Sequence, residues 1–468
     1  MRGAWTPQQR LLTAGLVFMV TAVGFEGLAV PTVLPATLAQ LGGLPLYGWA
    51  FSGFWLSSLV GITLSGVEAD RRGPRAPMVA GALLFAGGLL ITGQASGMEW
   101  VVVGRVVQGI GAGAIASIVY VVIARGYDAV AQPRMIAVIS SAWVLPGLVG
   151  PAVAGYVAQE SSWRWTFLAL APLLPLAAVA LAGPLARLGP PARVPQDRAR
   201  DLRPMRDVVV LAFAATLVLG ALTQGQALLV LPTVVVGVLL VIRPLQRLLP
   251  EGTLGARRGR GAAVAVLGLI SVAFFGVEAF VPLAVVSMRG ASTVTGGLAL
   301  TAAAVTWAAG SWLQARRTGR GSRRALMAAG ISLIGVGIAL EAAVPLTSLA
   351  PVWLAAAGWA VSGLGMGIAY STATLTIIES APAGGEGAAS AAVQLANTLG
   401  IGLGTGVAGA VVAFGAAGTL GEAPAIAVAD VMMLVVCGVT LAIVGRMPDS
   451  SPDAPARREA VPVSHRGL

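Results

Sequence analysis

Two glutamates, Glu26 and Glu278, stand 252 residues apart in two similar apolar stretches, Val23-Gly-Phe-Glu-Gly-Leu-Ala-Val-Pro31 and Phe275-Gly-Val-Glu-Ala-Phe-Val-Pro282. A carboxylate inside a lipid-spanning helix is costly. It is kept where it faces a bundle interior or a water path, and there it carries protons, binds cations or pairs with a buried base. Its recurrence in both halves points to a duplicated transport core. Other chemistry has few parts to draw on. The lone histidine, His465, sits in a polar tail, and the lone cysteine, Cys437, lies inside the last apolar segment. Neither a catalytic constellation nor a disulfide framework nor a Cys/His metal site can be assembled from them. No catalytic residue, metal or cofactor is expected, and the chain is not read as an enzyme.

The elements that must position these carboxylates follow from composition. The 468 residues are 57% hydrophobic and only 10% charged, with a mean hydropathy of +0.85, whereas soluble domains carry about 25% charged residues. The apolar runs are long enough for helices that cross a core of roughly 30 Å, and they lack the alternation of β-barrel strands. An all-α polytopic membrane protein is expected. Its 62 glycines are read as packing residues that let helix backbones approach in lipid. The first run is too long for a signal-peptide core and lacks a small-residue cleavage site, so it is read as a retained helix.

Six runs fill the first part, at about 10–39, 47–67, 76–96, 100–124, 135–158 and 164–185. Two shorter ones, 207–222 and 227–242, flank Thr223-Gln-Gly-Gln226, and six more follow at 261–287, 294–313, 325–344, 350–378, 387–414 and 424–445. Fourteen helices result. The expected domains are a six-helix bundle at 1–185, linkers with an inserted two-helix hairpin at 186–260, a second six-helix bundle at 261–446, and a disordered tail at 447–468. The net charge of +11 could suggest nucleic acid, but all 30 basic residues are arginine and 27 fall at the termini or in alternate loops. That is the positive-inside pattern. It predicts a multi-pass protein of the cell inner (plasma) membrane with both termini cytoplasmic, and no nucleic-acid partner. The halves also align: Trp100 to Gly113 is similar to Trp353 to Gly367, and Gly66 and Arg72 fall opposite Gly310 and Arg316.

Four motifs carry a family resemblance. Gly66-Val-Glu-Ala-Asp70-Arg71-Arg72-Gly73-Pro-Arg75 resembles the major facilitator superfamily loop G-x-x-x-D-R-x-G-R-[KR], with Pro74 in place of one basic residue. Arg105-Val-Val-Gln108-Gly109-Ile-Gly111-Ala resembles the superfamily's R-x-x-Q-G-x-G-A helix. Its glycines are not a dinucleotide loop, because they lie inside an apolar run rather than after a strand. Pro146-Gly147-Leu-Val-Gly150-Pro151-Ala-Val-Ala-Gly155 resembles the antiporter signature G-x-x-x-G-P-x-x-G-G, departing at Pro146 and Ala154. Trp163-Arg-Trp-Thr-Phe167 with Pro172 resembles a stretch common in fourteen-helix drug:proton antiporters. That family carries an aspartate nine residues before a proline in its first helix, where this chain has Glu26 and Pro35. It also shows N-x-x-R before a glycine, where this chain has Gln394, Asn397 and Gly400 without the arginine.

The resemblance implies proton-driven export of lipophilic compounds, cationic ones included, by alternating access, with small substrates, protons and membrane lipids as partners and a monomer as the working unit. Gly66, Asp70, Arg71, Arg72, Gly73 and Arg75 would form the conformational-switch loop, and Gly147, Gly150, Pro151 and Gly155 the antiporter helix. At 1.5 Å per residue, Glu26 lies about 24 Å from the inner end of its helix and Arg105 about 23 Å up the core, so the two can meet. Glu26 is then expected to be a pinned, substrate-facing charge. Glu278, with Trp359 at the repeat position of Arg105, becomes the switching proton site, and Trp359 an aromatic face for substrate. Gln108 joins Glu26, Glu278, Arg105 and Trp359 in the expected proton-coupling and substrate site, and Gln394, Asn397 and Tyr370 are expected to line the cavity. Asp430 lies near the outer end of its helix, where simple solvation would suffice. Export of a lipid or of the producer's own antibiotic uses the same fold. A receptor or scaffold that does not transport is a reading from another class.

Overall fold

Long apolar stretches become helices because a backbone in lipid can satisfy its N–H and C=O groups only internally. The computed structural model describes residues 6–128, 131–189, 203–224, 227–317, 322–347, 349–382, 385–418 and 421–449. Most of the linker at 190–202, the turn at Gly225-Gln226 and the tail with His465 lie outside them. The helices are α1 (Pro7–Leu41), α2 (Tyr47–Arg72), α3 (Arg75–Gly93), α4 (Met98–Gly126), α5 (Gln132–Ser141 continued by Val144–Glu160) and α6 (Arg164–Leu168 continued by Leu173–Ala186). Then come α7 (Arg203–Gln224), α8 (Ala227–Leu248) and α9 (Arg260–Glu278, with Val281–Leu283 and a π turn at Ala284–Met288). The chain finishes with α10 (Thr293–Arg317), α11 (Arg323–Leu346), α12 (Trp353–Glu379), α13 (Glu386–Ala417) and α14 (Glu422–Val444). Among the described residues, thirteen of these helices are long and apolar enough to cross a membrane; α8 is the remaining one. The protein is thus an all-α polytopic membrane protein.

Helix ends follow local chemistry. The Thr6 hydroxyl accepts from the Gln9 N–H while the Gln9 side chain accepts from the Thr6 N–H, closing a capping box at the start of α1. At the far end of α2 the chain turns through Gly73 at φ +89°, a left-handed conformation that favours glycine. Pro31 and Pro35 lie inside α1 and Pro151 inside α5. α9 breaks at Ala279–Phe280, directly before Pro282, which cannot donate to the preceding turn.

Glycines set the packing. α4 lies between α2 and α3 because a Cβ on Gly109 would come within 2.1 Å of Phe54 O and one on Gly113 within 2.0 Å of Ser58 O, both on α2. On its other face a Cβ on Gly111 would come within 2.4 Å of the Phe85 N of α3. The second half repeats this code: a Cβ on Gly363 or Gly367 would come within 2.3 and 2.1 Å of the Ala303 and Trp307 carbonyl oxygens of α10, and one on Gly365 within 2.4 Å of Gly330 O of α11. The aligned pattern is therefore a shared packing geometry.

The halves join at the end that carries Tyr47 and Thr293. There Gly48 of α2 faces Gly409 of α13, Gly155 of α5 faces Thr293 of α10, and Gly297 faces the Pro151 carbonyl, each with a hypothetical Cβ contact under 3.0 Å. α7 buries Leu211, Ala215 and Leu219 with Leu56, Leu59 and Leu399, so it seals the α2–α13 seam rather than standing apart from it. α8 packs outside α7, with Gly237 against Val218.

Replacing Gly113 by Val should force α2 and α4 apart and destabilise the protein by about 1–3 kcal/mol, the usual cost of overpacking. Gly87, with nothing within 4 Å of a hypothetical Cβ, should accept Ala without loss. Thermal unfolding of the purified variants checks both; equal melting temperatures would remove close helix approach as the reason for the α4 glycines.

Candidate functional site

The packing of α4 between α2 and α3 delivers Arg105 to the middle of the first half, where α1 presents Glu26. Both side chains are buried, and an Arg105 Nη1 hydrogen donates to Glu26 Oε1 in an ion pair. The guanidinium is answered on every side. Its Nε donates to the Ala50 carbonyl at 2.8 Å, Nη1 also reaches Gln108 Oε1 at 2.6 Å, and the plane lies 4.1 Å from the Phe54 ring centroid. Gln108 in turn donates to the Thr92 hydroxyl of α3 at 3.0 Å. One buried cation thus ties together α1, α2, α3 and α4. Arg105 does not snorkel to a surface, and Glu26 is sealed at 0% exposure, so it is not substrate-facing in this conformation.

Glu278 has different surroundings. It closes the first segment of α9 just before the break, is 8% exposed, and makes no ion pair among the described residues. Trp359, in the repeat position of Arg105, is fully buried, and its indole stacks on Phe274 at 4.7 Å between centroids. Trp359 is thus sealed in this conformation, with Phe274 against one face of the indole, rather than open as a substrate-facing surface. Partly buried rings nearby are Trp307 and Tyr370, 5.7 Å apart. Asn397 accepts from the Ser271 hydroxyl at 2.9 Å, and Gln394 is exposed on α13.

The switch-loop residues gather at the opposite end from Tyr47. Asp70 accepts from Arg125 of α4 at 2.8 Å, and Arg125 also donates to the Ala69 carbonyl at 3.2 Å. Glu68 pairs with Arg72 one turn on at 3.0 Å, while Arg71, Arg72 and Arg75 are exposed. Gly66 lies 3.6 Å from the Ser117 hydroxyl by its hypothetical Cβ, and Gly73 makes the turn. The second half answers with reversed polarity, Arg323 at the start of α11 donating to Glu379 at the end of α12. Beside it Ser322 donates to Asp449 at 2.6 Å, which holds that carboxyl below the usual aspartate range. In the antiporter helix, Gly155 and Pro151 lie against α10, while Gly150 faces Phe25 and Gly147 faces Ala304.

Sequence reasoning missed Glu341. It is buried in α11 with both oxygens unpartnered, and it faces Asp430, which is likewise buried rather than solvated as expected. The signal lay in the repeat. Gly88 of α3 packs on Gly104 as Gly337 of α11 packs on Gly358, and the same register places Glu341 opposite Thr92. The described residues include no group of His, Cys, Asp and Glu able to hold a metal. Cavities of about 490 and 560 Å³ lie by Arg206, Asp207 and Arg247 on α7 and α8, away from the central carboxylates.

Comparison with known proteins completes the picture. The chain is 28% identical over 397 residues to the "Probable multidrug-efflux transporter" of Mycobacterium tuberculosis H37Rv, covering 81% of this chain and 83% of that protein. It is 26% identical over 160 residues to the multidrug transporter protein MdtP of Bacillus subtilis, covering 34% of this chain and 30% of that one. Among solved structures, it is similar to the peptide transporter POT in complex with sulfate, with a TM-score of 0.67 and 16% identity over 93% of this chain and 94% of that one. A bacterial homolog to the human lysosomal transporter Spinster gives a TM-score of 0.64 at 16% identity, over 94% and 97% of the two chains. At such identities these structures speak to fold alone. Residues 14–405 match the Major Facilitator Superfamily, and the chain belongs to that family of secondary transporters, which are not enzymes.

Proposed function

We propose that this transporter exports lipophilic compounds, cationic ones among them, in exchange for protons, and that it belongs to the fourteen-helix drug:proton branch of its superfamily. The observation that carries the proton-coupling part is the inequality of the two glutamates: Glu26 is neutralised by Arg105, whereas Glu278 stands at a helix break with no cation paired to it. A group that must gain and lose a proton in every cycle cannot be permanently held by an arginine. The relatives named for multidrug efflux, at 28% and 26% identity, support the substrate class.

In this reading residues 1–185 and 261–446 are the two rocking bundles, α7 and α8 are an inserted hairpin at 186–260, and the working unit is a monomer. The arginine pattern puts both termini in the cytoplasm and the protein in the plasma membrane. The closed end, with its contacts from Gly48 to Gly409 and from Gly155 to Thr293, then faces outward. Asp70–Arg125 and Arg323–Glu379 become cytoplasmic clasps within each bundle. Substrate and proton compete for the central cavity: a proton arriving on Glu278 favours the state that has released substrate outside, and its loss inside resets the carrier.

Two outcomes follow. Glu278→Gln should still bind substrate but lose at least about tenfold in pH-gradient-driven export, a deficit of about 1.4 kcal/mol in coupling. Proteoliposomes with an imposed pH gradient measure it; export with undiminished gradient dependence would remove Glu278 from this role. Arg105→Met should destabilise the first bundle by about 3–5 kcal/mol, because it strands the buried Glu26 charge, and adding Glu26→Gln should recover most of that loss. Melting of the single and double variants decides: a double variant no more stable than the single one would show that the pair is not the source of the cost.

A further inference from the structure

A pair of carboxyls in the second half has no part in the exchange described above. Glu341 of α11 and Asp430 of α14 are each 1% exposed. The two helices run antiparallel, and a Cβ on Gly335 of α11 would lie 3.8 Å from Leu434 and 4.0 Å from Cys437 of α14. Followed along both helices, that register brings Glu341 opposite Asp430. Among the described residues, neither oxygen of Glu341, nor Oδ2 of Asp430, has a hydrogen-bond partner.

Among the described residues, no cation forms an ion pair with either carboxyl. Arg289, the cation that follows α9, donates to the carbonyls of Val344, Thr347 and Ala350 at 2.8, 2.8 and 2.7 Å, capping the end of α11. Glu422 begins α14, Cys437 lies two turns beyond Asp430 along it, and Glu278 lies on α9 two residues past the Gly276–Met433 contact; none of these is a cation. Two carboxyls buried opposite each other, with no hydrogen-bond donor and no counter-charge, cannot both stay ionised. At least one of the two therefore carries a proton.

Its placement links it to Glu278. Met433, one turn from Asp430, lies against Gly276 of α9, 2.9 Å from a hypothetical Cβ and two residues before Glu278. On the other side, a Cβ on Gly358, next to Trp359, would be 3.3 Å from the Glu341 nitrogen. Asp430, Glu341, Glu278 and Trp359 thus occupy one layer across α9, α11, α12 and α14. In the first half the position of Glu341 is taken by Thr92, which serves the arginine network instead.

We propose that Glu341 and Asp430 form a second proton-binding site of the transporter, holding one proton as a carboxyl–carboxylate pair and taking a second from water to become neutral. No bond other than O–H forms or breaks, and the proton returns to water or to the same-layer carboxylate when the pair releases it. Only its use in transport rests on the exchange reading above; proton binding itself does not.

The test is pH-difference infrared spectroscopy of the purified full-length protein in lipid nanodiscs, without substrate, over roughly the pH 5 to 9 range in which buried carboxyls titrate. A carboxyl C=O band that titrates in the wild type should be lost in Glu341→Gln and in Asp430→Asn, and kept in Glu278→Gln. Persistence of every titrating band in the first two variants, or its loss in Glu278→Gln alone, overturns the proposal. Should the amide variants not yield folded protein, Glu341→Asp decides: a shifted band supports the site, and an unshifted one overturns it. Failure of the exchange reading would appear separately, as wild-type proteoliposomes with no substrate-linked proton flux.

Discussion

The ion pair between Arg105 and Glu26 is the contact on which the first bundle depends, because an apolar interior offers a charge no solvent and the protein must supply every partner itself. The requirement reaches far along the chain. Arg105 can meet Glu26 only if α4 sinks between α2 and α3, and it sinks only because Gly109, Gly111 and Gly113 carry no side chain where the Phe54 and Ser58 carbonyls and the Phe85 nitrogen approach. The guanidinium then uses Ala50, Gln108 and, through Gln108, Thr92 to complete its coordination. Four helices become one body because one cation needs partners from all of them.

The second bundle keeps the backbone geometry and discards the cation. Gly363, Gly365 and Gly367 seat α12 between α10 and α11 as their counterparts seat α4, yet Trp359 fills the place of Arg105 with an apolar stack on Phe274. Without the guanidinium, the carboxyls of Glu278, Glu341 and Asp430 have no ion-pair partner among the described residues. The two halves are therefore mechanically alike and electrostatically different. One holds its buried carboxylate in an ion pair, and the other holds buried carboxyls that have none among the described residues.

Much of this was legible in the chain, for reasons that also mark where reading stops. Helix existence and number follow from run length, which is a local property, and the glycine spacing at Gly109-Ile-Gly111-Ala-Gly113 survives in the second half because close packing tolerates no substitute. Depth along a helix is also local, so Glu26 and Arg105 could be matched before any contact was seen. Facing is not local. The covered side of Trp359 and the burial of Asp430 depend on which neighbouring helix lies against each, and neither follows from position along one helix. Glu341 escaped notice because its meaning comes from the repeat register with Thr92, which only the Gly88–Gly104 and Gly337–Gly358 contacts fix.

The distribution of interactions suits a carrier that must rock. The ion pairs of the two bundles, Glu26–Arg105, Asp70–Arg125 and Arg323–Glu379, each lie within one half. The joints between halves are of another kind: glycine against backbone at Gly48–Gly409 and Gly155–Thr293, Thr293 donating to the Gly155 carbonyl at 3.0 Å, and Tyr47 donating to the Ala279 carbonyl at 3.3 Å. Neutral contacts of this sort contribute about 1 kcal/mol each and exchange readily for other neutral contacts, whereas parting a buried ion pair costs several times as much. Separating the halves at this end therefore requires no charge to be stranded. The Ala279 carbonyl that receives Tyr47 belongs to the residue directly after Glu278, at the break in α9, so the contact that closes this end and the second-half glutamate share one turn of chain. In the proposed exchange, a change of charge at Glu278 would act on the joint through that turn, without crossing the rigid interior of either bundle.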